Sequence, residues 1–267
     1  MRITLKLNNY TVPNFLRVAA NFGCDKYAYV VTANADHVIR LCEDASFREL
    51  YDAAGFALLD SRFLAIVIRV FKRVRLASCP GSDVTEQLLA SVVSADDKLV
   101  MIGGTQAQAR TLADNYGLRQ LKHFNPPMKF IEDSRAVENC LQFIEQESPF
   151  RFCILAVGCP QQELLGRELL RRDRARGLAL CVGASINFLT GVERRAPLWM
   201  RKVGFEWVYR LCNDPVRLAR RYLVRGPRIL LLLWRIRFVP RLRGASSMAQ
   251  MTAEAPSGVH SQALPPP

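Results

Sequence analysis

The sequence predicts an α/β fold: a parallel sheet with crossover helices on its faces, followed by a basic, amphipathic C-terminal appendage. Three observations lead there. Short β-branched or apolar runs alternate with helix-like stretches over most of the chain, the pattern of βαβ units. Each run ends in a polar or glycine-containing turn. Beyond about Leu223 the character changes, and residues 225–244 mix Leu, Ile, Trp and Phe with arginine and contain little else, a composition suited to a helix or hairpin lying in a lipid interface.

Strands are expected at 3–7, 27–32, 56–60, 98–102, 152–157 and 178–182, each a short run rich in apolar residues. Helices are expected at 34–43, 106–116, 161–172 and after Asp214-Pro215. Pro160 before Gln161, and Asn213-Asp214 before Pro215, match the preference for proline in a first helical turn and Asn or Asp at the cap. No internal repeat is visible. The expected division is a core at 1–200, the basic appendage at 201–244 and a disordered tail at 245–267, where PSG and PPP occur.

The chain has 267 residues, half of them hydrophobic, enough for one large core plus an appendage. Disorder throughout is excluded. The first ten residues, MRITLKLNNY, interleave charge with apolar positions, so no secretory leader is expected. The apolar stretch at 229–234 is six residues long and bounded by Arg228 and Arg235, far short of the roughly 20 that span a bilayer. The eight cysteines are scattered, several within apolar runs, and read as buried, reduced thiols. No CxxC pair exists and the histidines (37, 123 and 260) are far apart; no zinc ligand set stands at a usual spacing, and no metal is expected. Between 194 and 243 there are fourteen Lys or Arg against two acids, so this one block carries nearly all of the net +13. Such a block suits a polyanionic partner: anionic lipid, nucleic acid or a diphosphate.

In an open α/β sheet the ligand binds at the carboxyl ends of the strands, and five turns converge there: Thr32-Ala33-Asn34, Asp60-Ser61, Gly103-Gly104-Thr105, 158–163 and 183–187. Gly103-Gly104 reads equally as a phosphate cradle or a plain tight turn. Gly158 and Pro160 present Gln161, Gln162 and Glu163 in a first helical turn, either toward a ligand or as a cap at the positive helix end. Asp60 is either a partly desolvated general base at the lip of the sheet or the N-cap of a helix over 61–71; Thr32 is ambiguous in the same way. Arg210, Arg217, Arg220 and Arg221 beside an apolar segment favour a phosphate or lipid site over a solvated face. Gly183-Ala184-Ser185 lacks the second glycine of a nucleophile elbow, and no dinucleotide fingerprint supports a nicotinamide dehydrogenase. A nucleic-acid-binding module leaves the strand-end polar residues unexplained.

Taken together, Thr32-Ala33-Asn34, Asp60, Gly103-Gly104, Pro126-Pro127, the GCPQQE run at 158–163, Val182-Gly183 leading to Gly191, Arg195-Ala196-Pro197, the EWVYR run at 206–210, Asp214-Pro215 and Arg220-Arg221-Tyr222 resemble the WecG/TagA/CpsF glycosyltransferases over roughly residues 1–225. The resemblance implies a Rossmann-like enzyme, working without metal or cofactor, that transfers N-acetylmannosamine or its uronic acid from UDP, as co-substrate, to N-acetylglucosamine on undecaprenyl diphosphate with inversion. It makes Asp60 the general base and Thr32 a residue that holds substrate. Gln162 contacts the donor; Asn34, Gly103, Gly104 and Glu163 are expected to bind substrate; Asn187 stands near the nucleoside; Arg210, Arg217 and Arg220 neutralise a diphosphate. It further implies a cytoplasmic enzyme, peripheral at the inner face of the bacterial plasma membrane, attached to anionic lipid by the C-terminal segment. A homo-oligomer is compatible with this reading; nucleic acid is not an expected partner. Asp60-Ser61 replaces the family's common Asp-Gly, Gln161 its Lys, and Asn187 its Asp. These changes border the donor site and leave another hexose, such as glucose, open.

Overall fold

The structure, a computed structural model, describes residues 3–241; the tail at 245–267 and the side chain of Arg217 lie outside the described residues. The elements in order are β1 (Ile3–Leu7), α1 (Val12–Ala20), β2 (Tyr27–Ala33), α2 (Ala35–Glu43), α3 (Ala45–Ala53), β3 (Phe56–Leu59), α4 (Arg62–Lys72), α5 (Gly81–Ser91), β4 (Leu99–Ile102), α6 (Gln106–Tyr116) and β5 (Leu121–Phe124). A 3-10 turn (Phe130–Glu132), α7 (Ser134–Gln146), β6 (Phe152–Leu155), α8 (Gln161–Arg172), β7 (Gly177–Cys181), α9 (Ser185–Leu189), α10 (Leu198–Val203) and α11 (Glu206–Asn213) follow. The described chain ends with α12 (Pro215–Ala219), a π-helical turn (Arg220–Arg225), α13 (Arg228–Leu233) and β8 (Ile236–Pro240).

Six strands form one parallel sheet in the order β3-β2-β7-β6-β4-β5. Helices cover both faces, which is why β4, β6 and β7 are buried along their whole length and read as continuous apolar runs. The alternation of a strand splits its side chains between two cores. Tyr29, Val31, Cys153 and Leu155 join one with Leu41, Phe47, Ile144 and Leu165. Val30, Phe152 and Ile154 join the other with Phe15, Leu88 and Leu112. The expected α/β class and parallel sheet with flanking helices are therefore found.

Some elements differ from expectation. The strand at 3–7 does not join the large sheet: β1 pairs in parallel with β8, in register from Ile3 against Ile236 to Leu7 against Pro240. Asn8 then ties it to β3, its backbone N–H donating to Ala57 O and its Oδ1 accepting from Ala57 N–H, at 2.7 and 2.8 Å. Of the expected helix or hairpin at 225–244, the described residues, up to 241, form the short helix α13 and the strand β8; these bury Ile229, Leu233, Ile236 and Phe238 and leave Leu231 and Trp234 outside. Two of the eight cysteines, Cys24 and Cys212, are exposed rather than buried, the first in a loop and the second on α11, whose residues are all at least partly exposed.

Candidate active site

The carboxyl ends of β3, β2, β7 and β6 open on a cavity of about 550 Å³. Thr32 and Asn34 reach it from the end of β2, Asp60 from β3, Gly158, Cys159 and Gln162 from β6, and Gly183 and Ser185 from β7. Arg201, Trp207 and Arg210 of α10 and α11, with Tyr222 and Leu230, complete its wall. Thus Thr32, Asn34, Asp60, Gln162 and Arg210, singled out in sequence, share one cavity.

Each is held by a specific bond. Ser61, not Asp60, caps α4, its side chain accepting from Leu64 N–H. Asp60 Oδ1 instead accepts from Gly81 N–H at 2.7 Å, at the start of α5. Thr32 Oγ1 donates to Cys181 O at 3.2 Å across the neighbouring strands. Asn34 caps α2 by accepting from His37 N–H. Gln162 is fixed at both ends: Oε1 accepts from Gly183 N–H at 3.0 Å, and Nε2 donates to Glu163 Oε1 at 2.9 Å. Glu163 is fully buried behind it. Burial pushes its carboxyl up to about 7, while bonds from Gln162, its own amide and the Cys159 thiol pull the other way.

Other candidates stand elsewhere. Gly103 and Gly104, at the end of β4, do not line the cavity, since the strand order places β4 beyond β6. Both have positive φ, and a Cβ on Gly103 would lie 2.8 Å from Ala156 O, so close backbone packing accounts for that glycine. The turn leads into a capping box of Thr105 and Gln108. Asn187 is likewise outside the lining, its Oδ1 accepting from Gln108 Nε2 at 2.9 Å and its Nδ2 donating to Glu193 at 3.1 Å. Glu193 in turn lies 3.9 Å from Arg210, whose guanidinium sits over the Phe188 ring. Arg220 is exposed and outside the lining.

Sequence reading missed a cluster on the rim. Asp83, buried on α5, pairs with Arg62, Arg195 and Arg201, and Arg62 and Arg201 also line the cavity. Desolvation alone would raise the Asp83 carboxyl, but Arg195 and Arg62 outweigh it and hold it below the usual carboxylate range. Its partners are far away in sequence, so no local spacing announces it. Also missed was the meeting of His37 and Cys159 with Glu163, which the sequence marks only as a substrate contact: each of the three brings a ligand atom within 4.8 Å of the others, and two lie on helices and one in a turn that meet only in the fold.

Among the described residues no helix is long and apolar enough to cross a membrane. The profile of the glycosyl transferase WecG/TagA/CpsF family matches residues 2–243, a span that takes in both sheets and every element around the cavity. The chain belongs to the WecG/TagA/CpsF family of glycosyltransferases.

Proposed function

We propose that this glycosyltransferase moves a hexose, N-acetylmannosamine or its uronic acid, from a UDP-sugar to a sugar carried on polyprenyl diphosphate, in bacterial cell-envelope or exopolysaccharide synthesis. The observation that carries this reading is that one cavity of ligand size holds both a carboxylate, Asp60, and guanidiniums, Arg62, Arg201 and Arg210. The acceptor hydroxyl gives its proton to Asp60 as its oxygen attacks the anomeric carbon. The bond from that carbon to UDP breaks on the opposite face, inverting the centre, and the electron pair leaves with the β-phosphate oxygen. Charge grows on the diphosphate, and preorganised guanidiniums stabilise it more in the transition state than in the ground state. Arginine thereby does what a divalent cation does elsewhere, and the transfer is metal-independent. Thr32, Asn34 and Gln162 position the sugars.

The same reading assigns the exposed Leu231 and Trp234 beside Arg228 and Arg235 to an anionic membrane surface, where the lipid-linked acceptor resides. The testing assay offers a panel of UDP-sugars with a lipid-diphosphate-linked N-acetylglucosamine acceptor, with and without EDTA. UDP release with one donor, undiminished by EDTA, is the expected result. Transfer from UDP-glucose alone would replace the sugar and keep the reaction, whereas no UDP binding at all would overturn the reading.

A further inference from the structure

The proposed transfer gives no role to three side chains that meet beside the cavity, His37 on α2, Cys159 in the turn before α8 and Glu163 on α8. We infer that His37, Cys159 and Glu163 form a binding site for a thiophilic divalent cation of the zinc class, reached through the cavity. The ligand atoms of the three, one imidazole nitrogen, one sulfur and one carboxylate oxygen, lie within 4.8 Å of one another. Zinc bonds of roughly 2.0–2.3 Å set ligand atoms about 3.5 Å apart in a tetrahedron, so small side-chain adjustments close the set. His, Cys and Glu are the donor types zinc prefers, and three protein ligands leave a fourth position for water or a ligand.

Two further observations point to a cation. Glu163 is fully buried, and its Oε1 takes the amide of Gln162 while Oε2 is buried without a hydrogen bond of full geometry. The Cys159 thiol acts on this carboxyl only as the weak donor an S–H can be. A buried carboxylate oxygen left this way is costly, and a metal bond would satisfy it. Second, Tyr51 Oη stands 2.7 Å from His37 Nδ1, which fixes the ring; metal-bound histidines generally have such a partner on the nitrogen that does not ligate, so the inferred site takes the imidazole through Nε2. His37 and Cys159 both line the cavity, so an ion has a way in. On binding, the thiol loses its proton to solvent and the thiolate takes the metal. The Arg40 guanidinium acts on the carboxyl and the thiol and opposes the ion, but Asp44 lies 3.6 Å from it and offsets part of its charge.

The test titrates the full chain with Co²⁺, following the near-ultraviolet sulfur-to-cobalt band, then displaces it with Zn²⁺. One cobalt per chain with that band, displaced by zinc, is expected. Cys159→Ser should abolish the band; Glu163→Gln and Tyr51→Phe should weaken binding by about 10-fold or more, all with native circular dichroism. Absence of the band at stoichiometric cobalt would overturn the inference, as would a band unchanged in Cys159→Ser, which would place the metal on another cysteine. Should Cys159→Ser unfold, unaltered affinity in Glu163→Gln overturns it equally. None of these readouts depends on sugar transfer, so the proposed reaction stands or falls separately.

Discussion

At Asp60, the Gly81 N–H that donates to Oδ1 is a bond an asparagine can keep, so Asp60→Asn removes the base and spares the loop. Turnover is expected to fall by roughly 10²–10⁴-fold with UDP affinity unchanged by calorimetry; full activity would remove Asp60 from the mechanism. Asp83 answers to a different measurement. Asp83→Asn strips the shared partner from three arginines and is expected to cost about 2 kcal/mol at neutral pH, below the ~3–5 of a fully dry pair because water still reaches the guanidiniums. Because its folded pKa is depressed, this contribution is present above the free carboxyl value near ~3.9 and is lost as pH falls through the folded value. Urea unfolding at pH 7 and in acid should therefore show the gap between the two proteins shrinking below about pH 4; a constant gap would refute the assignment. Residues of the first kind are legible in sequence, since Thr32, Asn34 and Asp60 stand at the ends of apolar strands and Gln162 in the first turn of the helix after one. Asp83 is not, because its partners Arg195 and Arg201 meet it only once α10 has packed near α5.

Elements are legible to the degree that their pattern is local. The buried strands β4, β6 and β7 stand out as apolar runs, and the helices expected at 34–43 and 106–116 are found as α2 and α6, capped by Asn34 and Thr105; α4 is capped by Ser61 where the sequence offers Asp60. The strand β5, Leu-Lys-His-Phe at the sheet edge, was missed because no residue in it is fully buried and its middle is polar. The partner of β1 was missed because it lies at the other end of the described chain, and pairing across such a separation leaves no trace in either segment. Gly177 shows how tightly a strand start can be specified: φ is +126° and an added Cβ would stand 2.0 Å from Phe150 O. Gly177→Ala is expected to destabilise by about 3 kcal/mol or more through backbone strain and overpacking, measured by thermal or denaturant unfolding; a loss under about 1 kcal/mol would mean the turn relaxes freely.

Over the whole molecule, charge and apolar surface coincide in the last described elements. Leu231 and Trp234 are 76 % and 81 % exposed, among arginines, whereas Ile229, Leu233 and Phe238 close to them are core. Removing the segment would therefore expose the core as well as detach any membrane contact, and surface substitutions are the cleaner probe. The double change Leu231→Glu and Trp234→Glu is expected to lower binding to anionic vesicles by about 10-fold or more while leaving the fold intact, and raised salt should weaken the wild type likewise; undiminished vesicle binding would place the contact elsewhere. The pairing of β1 with β8 also has a consequence in time. A ribosome adding about 5–20 residues per second makes β8 tens of seconds after β1, so the edge of β1 waits without its mate through nearly all of synthesis. The segments that wall the cavity from α10 onward emerge in the same late interval. A nascent chain can thus assemble its large sheet early, yet the wall of its cavity is complete only after the segment reaching Leu230 has left the exit tunnel, shortly before β8 arrives to pair with β1.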